Sequence, residues 1–315
     1  MNRRWPDFFI VGAPRCGTST MYAALAQHDG VFMPRLKEPA FFCSDLDEGV
    51  DIGGMKFIRD AEEYLRLFAD APIGSRVGEA CVLNLYSEVA ARRIHAANPG
   101  ARIIVHVRDP VEQMHSWHAF LVTLNVEPIS EFRRALEAEA ARHRVDSFAV
   151  GARPVHRVAR YRSFAAFRTQ IGRYFEVFGR SRVQVVVLED LAARPEAVLS
   201  DVLTHLDLDQ AFEPHIATEW PNRGLASRQL FDWMRSPRVV GAAKKVVPHA
   251  AHSMASRLSQ AIHSWNVRPQ PRQPMDATLR DSLRAEMYDE VSGLSELLER
   301  DLANLWWGST ARSSR

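Results

Sequence analysis

Along the first two hundred residues the apolar positions follow two alternating rhythms. Solid runs at Phe8-Phe9-Ile10-Val11, Arg102–Val107 and Arg182–Leu188 carry aromatic or β-branched residues with little polar interruption, as buried strands do. Arg76-Val77-Gly78-Glu79 fits a further short strand. Between them, apolar residues recur at helical spacing over Thr18–Gln27, Ser87–Ala97, Val111–Leu121, Ser130–Ala141, Tyr161–Phe178 and Pro195–His205. Asn98-Pro99-Gly100 stops one of these helices, and Pro110 suits the first turn of the next. Asp276–Leu305 predicts one long amphipathic helix. Strands alternating with helices predict an α/β fold: a P-loop-like parallel β-sheet flanked by helices on both faces, with helical additions in the C-terminal third. No repeat or low-complexity tract divides the chain, so a single domain over residues 1–315 is expected. Pro221–Pro274, rich in proline, basic residues and histidine, follows neither rhythm.

Composition narrows the classes. A chain of 315 residues, 46% hydrophobic and 25% charged, can bury a sizeable core. Its 40 basic and 38 acidic residues leave a formal charge of +2, without the basic excess of a bulk nucleic-acid binder, so no nucleic-acid partner is expected. Cys16, Cys43 and Cys81 cannot all pair and show no metal-ligand spacing, which points to a reducing compartment and no metal. The apolar run after Met1–Asp7 is too short for a signal-peptide core, and no window reaches the ~18 apolar residues of a membrane span. A soluble, cytoplasmic protein is the expectation.

Candidate chemistry begins after the first strand. Gly12-Ala13-Pro14-Arg15-Cys16-Gly17 is a glycine-bounded loop opening a helix, where backbone amides and the helix dipole favour an anion. It has the length of a nucleotide-triphosphate loop, but Thr18 stands where that motif needs lysine. Its cation is Arg15, and Thr18, Ser19 and Thr20 add hydroxyl donors. The plainer reading is a strand-to-helix turn with hydroxyl capping. The second candidate is Val107-Arg108-Asp109-Pro110, at the strand edge where open α/β sheets bind ligands. Arg108 can grip a phosphate bidentately, and Ser116 follows on the next helix. Alone, Arg108-Asp109 reads equally well as a local ion pair.

Together, the Pro14-Arg15-Cys16-Gly17-Thr18-Ser19-Thr20 loop and the Ile103–Trp117 segment resemble the PAPS-dependent sulfotransferase superfamily. Leu36-Lys37-Glu38-Pro39-Ala40-Phe41-Phe42, Gly78-Glu79-Ala80 and the tail Leu297–Leu302 resemble the branch of heparan sulfate and bacterial sulfotransferases. The likeness runs from about Phe8 to Leu206 and returns in the last helix. It implies a sulfuryl transfer from PAPS to a hydroxyl or amine of a glycan, lipid or secondary metabolite, releasing PAP, with no metal. The loop, Arg15 to Thr20 with Cys16 and Gly17, would bind the phosphosulfate end, with Arg15 also catalytic. Arg108 and Ser116 would hold the 3′-phosphate, and Arg223 or Arg228 of the late basic loop would close over it. Glu38 would be the general base, and a carboxylate beside Pro39, Phe41 and Phe42 suits base work near neutrality. Its plainer reading is a surface ion pair with Lys37 or Arg35. This sequence departs from the family pattern in having Arg15 where lysine is common, and Ala80 where the glycosaminoglycan enzymes have lysine.

Competing proton acceptors are His106, His115 and His118. The basic Arg235–Arg257 stretch, with Lys244, Lys245, His249 and His252, reads as an acceptor lid or as a solvated helical face. Trp117, Trp220, Trp265, Trp306 and Trp307 read as core before they read as ring-stacking groups. Two other functions stay open. A kinase or NTPase with an atypical phosphate loop would need a Mg²⁺-binding carboxylate, for which Asp109 is the nearest candidate. A non-catalytic nucleotide-binding protein would need Arg108 and Ser116 but not Glu38.

Overall fold

The computed structural model describes residues 4–47, 57–144, 157–209, 212, 223–227, 229–230, 233, 266–269 and 272–308. Five parallel strands form the central sheet: β1 (Phe8–Gly12), β2 (Val31–Phe32), β3 (Arg76–Ala80), β4 (Arg102–Val107) and β5 (Val183–Val187), in the order β2-β3-β1-β4-β5. Phe8 pairs with Gly78 of β3 on one side and Arg102 of β4 on the other. The strand alternation sorts side chains to two faces. Phe9, Val11, Ile103 and Val105 enter one buried cluster, with Trp117, Tyr161 and Tyr174. Phe8, Ile10 and Ile104 enter the other, against Met21, Leu25, Val202 and Leu203. Helices therefore cover both faces, as the solid apolar strands require.

The helices are α1 (Thr18–Leu25), α2 (Ala61–Arg66), α3 (Leu83–Tyr86), α4 (Ala90–Ala97), α5 (Pro110–Thr123), α6 (Phe132–Arg144), α7 (Tyr161–Phe164), α8 (Phe167–Phe178), α9 (Leu188–Ala193) and α10 (Pro195–His205). After them come a small antiparallel pair, β6 (Arg223–Leu225) and β7 (Val267–Pro269), then α11 (Ala277–Glu286), α12 (Tyr288–Leu298) and α13 (Leu302–Trp307).

Three expectations change in detail. The single helix expected over Asp276–Leu305 is three helices. Met287 closes α11, Glu299 turns left-handed at φ 54°, and Asp301 caps α13 through the Asn304 amide at 3.0 Å. Tyr161–Phe178 divides after Phe164, where the Gln170 side-chain amide takes the freed carbonyls of Ser163 (2.9 Å) and Phe164 (3.3 Å). Ser87 lies before its helix, its hydroxyl accepting from the Val89 and Ala90 amides. The stretch Arg235–Arg257 lies outside the described residues.

Gly78 sits where β3 packs against the side chains of Phe8 and Met33. A Cβ there would meet Phe8 Cζ and Met33 Sδ well inside van der Waals contact. Gly78→Ala should therefore overpack the sheet and cost about 1–3 kcal/mol. Urea unfolding should show an earlier midpoint with an unchanged slope.

Candidate functional site

The carboxyl edges of β3, β1 and β4 face one region, and the chain changes sides of β1 between β3 and β4. Such an edge is where open parallel sheets take ligands. The loop after β1 is fixed there by the Ala13 amide on the His106 carbonyl at 2.7 Å. Arg15 and Gly17 are left-handed, at φ 64° and 89°, and Gly17 caps α1. Gly12 lets the turn after β3 approach, since a Cβ would meet the Val82 carbonyl oxygen and Leu85 Cβ at 2.8 Å each. Thr18 is buried, and Ser19 and Thr20 are partly exposed in the first turn of α1. Burial pushes the Cys16 thiol up to about 12, and the protonated thiol donates to the Pro14 carbonyl within the loop at 3.4 Å.

Three guanidinium groups converge beside this loop. Arg15 donates from Nε to Ser116 Oγ at 3.1 Å and lies over the Phe120 ring, both on α5. Arg108 donates to the Arg15 carbonyl at 3.2 Å, while its own Nε is buried without a hydrogen-bond partner. Arg272 donates to the Glu112 carbonyl at 3.1 Å and pairs with the Glu112 carboxylate. Burial, then Arg108 and Arg272, lower the Arg15 pKa below its ordinary value. Crowded cations and an unpartnered buried N–H make a site that fits an anion of more than one charge.

Asp109 has a different task from binding a metal. One oxygen caps α5 at the Val111 amide (2.8 Å), and the other accepts from the Trp307 indole N–H (3.1 Å). That removes the carboxylate the NTPase reading would use.

The segment carrying Glu38 is anchored by its aromatic residues. Phe41 stacks on Tyr64 with centroids 4.3 Å apart, Phe42 meets Phe9 edge-on, and Arg93 holds the carbonyls of both. The Glu38 amide donates to the Ala80 carbonyl at 2.9 Å, and its carboxylate accepts from the Val82 amide at 2.7 Å. Lys37 pairs with that carboxylate at 3.0 Å and also donates to Ser19 Oγ at 2.9 Å. The ion pair expected as the plainer reading of Glu38 is thus present, but it also reaches the first turn of α1 through Ser19. Sequence reasoning missed Lys37 in this role, and also Arg272 and Trp307. Nothing in local spacing marks a lysine 18 positions from its partner serine.

The rival bases are differently placed. His106 donates from Nδ1 to the Cys16 carbonyl, and burial pushes it down to about 3. His115 is held near 3 by burial and by Arg272, and His118 bonds the Ile129 carbonyl. Imidazoles with such values take a proton poorly near neutrality. Arg223 begins β6, whose Leu225 packs on Val122 of α5; Arg228 lies outside the described residues.

No family model matches the chain. Over 235 residues it is 22% identical to bifunctional heparan sulfate N-deacetylase/N-sulfotransferase 1 of Caenorhabditis briggsae, covering 71% of this chain. Over 156 residues it is 28% identical to carbohydrate sulfotransferase 15 of Homo sapiens, covering 38% of this chain. These matches span 25% and 28% of the length of the two relatives. The crystal structure of a sulfotransferase from Alicyclobacillus acidocaldarius is similar at a TM-score of 0.72 and 28% identity, over 96% of this chain and 98% of that one. The five-stranded parallel sheet with flanking helices matches that neighbour. Among the described residues no helix is long and apolar enough to cross a membrane.

Behind Glu38 lies a second carboxyl group. Glu79 is fully buried, accepting from the Tyr64 hydroxyl and from Asn84 Nδ2 at 3.0 Å. Desolvation pushes it up to about 7. The folded state therefore holds a proton that the unfolded chain has released above about pH 4.5, so this group's stabilising contribution falls as pH rises toward about 7. Glu79→Gln should flatten that slope. Denaturant unfolding of both proteins between pH 5 and about 8 should show the variant gaining on wild type as pH rises.

Proposed function

We propose, from the premise that this chain sits in a branch of the sulfotransferase superfamily, that it transfers a sulfuryl group from PAPS to an acceptor hydroxyl or amine. The observation that carries the reading is the anion site itself: Arg15, Arg108 and Arg272 converge with Ser116 beside a glycine-bounded loop, and Arg108 Nε is buried without a partner. Those groups fit a nucleotide carrying phosphate at both ends. When bound, PAPS supplies the sulfuryl group and PAP is what remains.

The residues divide the work. The loop amides, Cys16 and Gly17 among them, and the hydroxyls of Thr18, Ser19 and Thr20 bind the 5′ phosphosulfate end at the start of α1. Arg108 and Ser116 hold the 3′-phosphate, with Arg223 or Arg228 as the contact contributed by the late basic sequence. Arg15 stabilises charge that develops during transfer, as positioned donors do without needing to reorganise. Glu38 takes the acceptor's proton. Its carboxylate lies at the sheet edge beside the loop, while His106 and His115 are held near 3. The relatives' names favour a carbohydrate among the acceptor classes. A single domain over residues 1–315 working without metal in the cytoplasm completes the proposal.

Calorimetric titration with PAP, ATP and ADP tests the donor site. PAP should bind at micromolar concentration in preference to ATP and ADP, and Arg108→Ala should weaken it roughly 10–100-fold, the worth of a charge-assisted hydrogen bond. Tight ATP binding with no preference for PAP would return the NTPase reading to first place. Transfer of sulfur-35 from labelled PAPS to a panel of desulfated glycans, glycolipids and phenols tests the chemistry. Glu38→Gln should slow it about 10²–10⁴-fold with PAP affinity kept. Equal rates in the two proteins would remove Glu38 as the base.

A further inference from the structure

We infer that Lys37 is a positioning residue that ties Glu38 to the anion loop, an inference that rests on the sulfotransferase reading above. One ammonium has partners on two separate parts of the fold: Ser19 Oγ at 2.9 Å in the first turn of α1, and Glu38 Oε1 at 3.0 Å. The other carboxylate oxygen, Oε2, is taken by the Val82 amide at 2.7 Å. Glu38 is thus gripped at both oxygens, once from the turn after β3 and once by the neighbouring Lys37, which is itself bonded to the first turn of α1. Its backbone is left-handed, at φ 61°, and is kept so by its own amide on the Ala80 carbonyl. Removing Lys37 would leave the amide contacts and free the carboxylate to turn about them.

The partition of cations around the loop supports the same assignment. Arg15, the loop's own cation, is directed to α5, bonded to Ser116 and lying over Phe120. The start of α1 is instead served by Lys37, which arrives from the segment after β2. Its charge also reaches His106, buried beneath the loop at the Cys16 carbonyl. An ammonium donates and never accepts, so Ser19 Oγ accepts the Lys37 hydrogen bond and keeps its own hydroxyl proton to offer an anion in the loop. Lys37 therefore orients a donor-side hydroxyl and the acceptor-side carboxylate with one group. A misplacement of about 1 Å in such a constellation costs on the order of 10²-fold in rate.

The test uses the full chain, sulfur-35-labelled PAPS at saturation and the best acceptor found in the panel. Lys37→Met keeps the length of the side chain without its charge, and Lys37→Arg keeps charge and donors. Lys37→Met should lose about 10–100-fold in kcat, with the acceptor KM and the calorimetric PAP affinity within about threefold of wild type. Lys37→Arg should recover most of the lost rate. Thermal unfolding of each variant monitors the fold, and the Arg variant supplies the folded comparison if the Met variant is unstable. Wild-type kcat in Lys37→Met would overturn the inference alone. So would a loss that appears as weaker PAP binding with kcat kept, because Lys37 would then only bind donor. A wild type that binds no PAP, or binds it and moves no label, would take down the transfer reading and this inference together.

Discussion

Like charges repel, yet Arg15, Arg108 and Arg272 are held side by side at the carboxyl edge of the sheet, and much of the surrounding structure serves that arrangement. The groups that hold them are mostly neutral. Arg108 donates to a backbone carbonyl, Arg15 to a serine hydroxyl, and Glu112 is the carboxylate that pairs with Arg272 and, at 3.5 Å, with Arg280. Dipoles fix geometry without cancelling charge. The supports lie well apart in the chain. β1 and β4 pair at the centre of the sheet, Asp109 caps α5, and Trp307 of the last helix fixes Asp109 across 198 positions. The C-terminal helices are therefore part of the scaffold of the site.

What could be read beforehand was what is contiguous. The loop from Gly12 to Gly17 joins a strand to a helix within one short run of sequence, and Arg108 and Ser116 are separated by one strand end and two helical turns. Lys37 and Arg272 gave no such signal. Lys37 meets Ser19 only because the segment after β2 folds back over α1, and Arg272 lies in a proline-rich stretch that has no period. The strands β6 and β7 are three residues each and far apart in the chain, too short to announce a pairing. Glu79 did carry a signal. It pairs in register with Phe9, so strand alternation sets it on the same face as Val77 and Phe9, inside the core. A charged residue on an otherwise apolar strand face is the kind of exception that marks an internal polar network.

The two carboxyl groups near the site show how burial assigns different duties to one chemistry. Glu79 is sealed in and its hydrogen-bond partners, a phenol and an amide, are neutral; desolvation outweighs them and pushes it up to about 7. Glu38 stands at the edge with an ammonium and a backbone amide as partners. The network around Glu79 belongs to the scaffold: Tyr64 stacks on Phe41 and bonds Glu79, and the Asn84 carbonyl accepts from Tyr174 at 2.8 Å. These contacts fix the strand end whose Ala80 and Val82 hold Glu38. The buried acid is thus placed to stiffen, and the edge acid keeps charged and polar partners at the sheet edge.

That division explains how an edge built from loops can keep its shape. Loops bend easily, and a base or an anion-binding hydroxyl on a free loop would lose in disorder what it gained in contact. Here each loop is bonded to another element by its backbone. Ala13 is tied to β4, Glu38 to β3, and the Val82 carbonyl packs against Gly12, so the turn after β3 and the loop after β1 limit each other. Side chains then need to supply only the contacts that vary with the ligand. A ligand-binding edge made in this way keeps its shape when a distant surface residue changes, but not when a glycine or an amide at one of these crossings is lost.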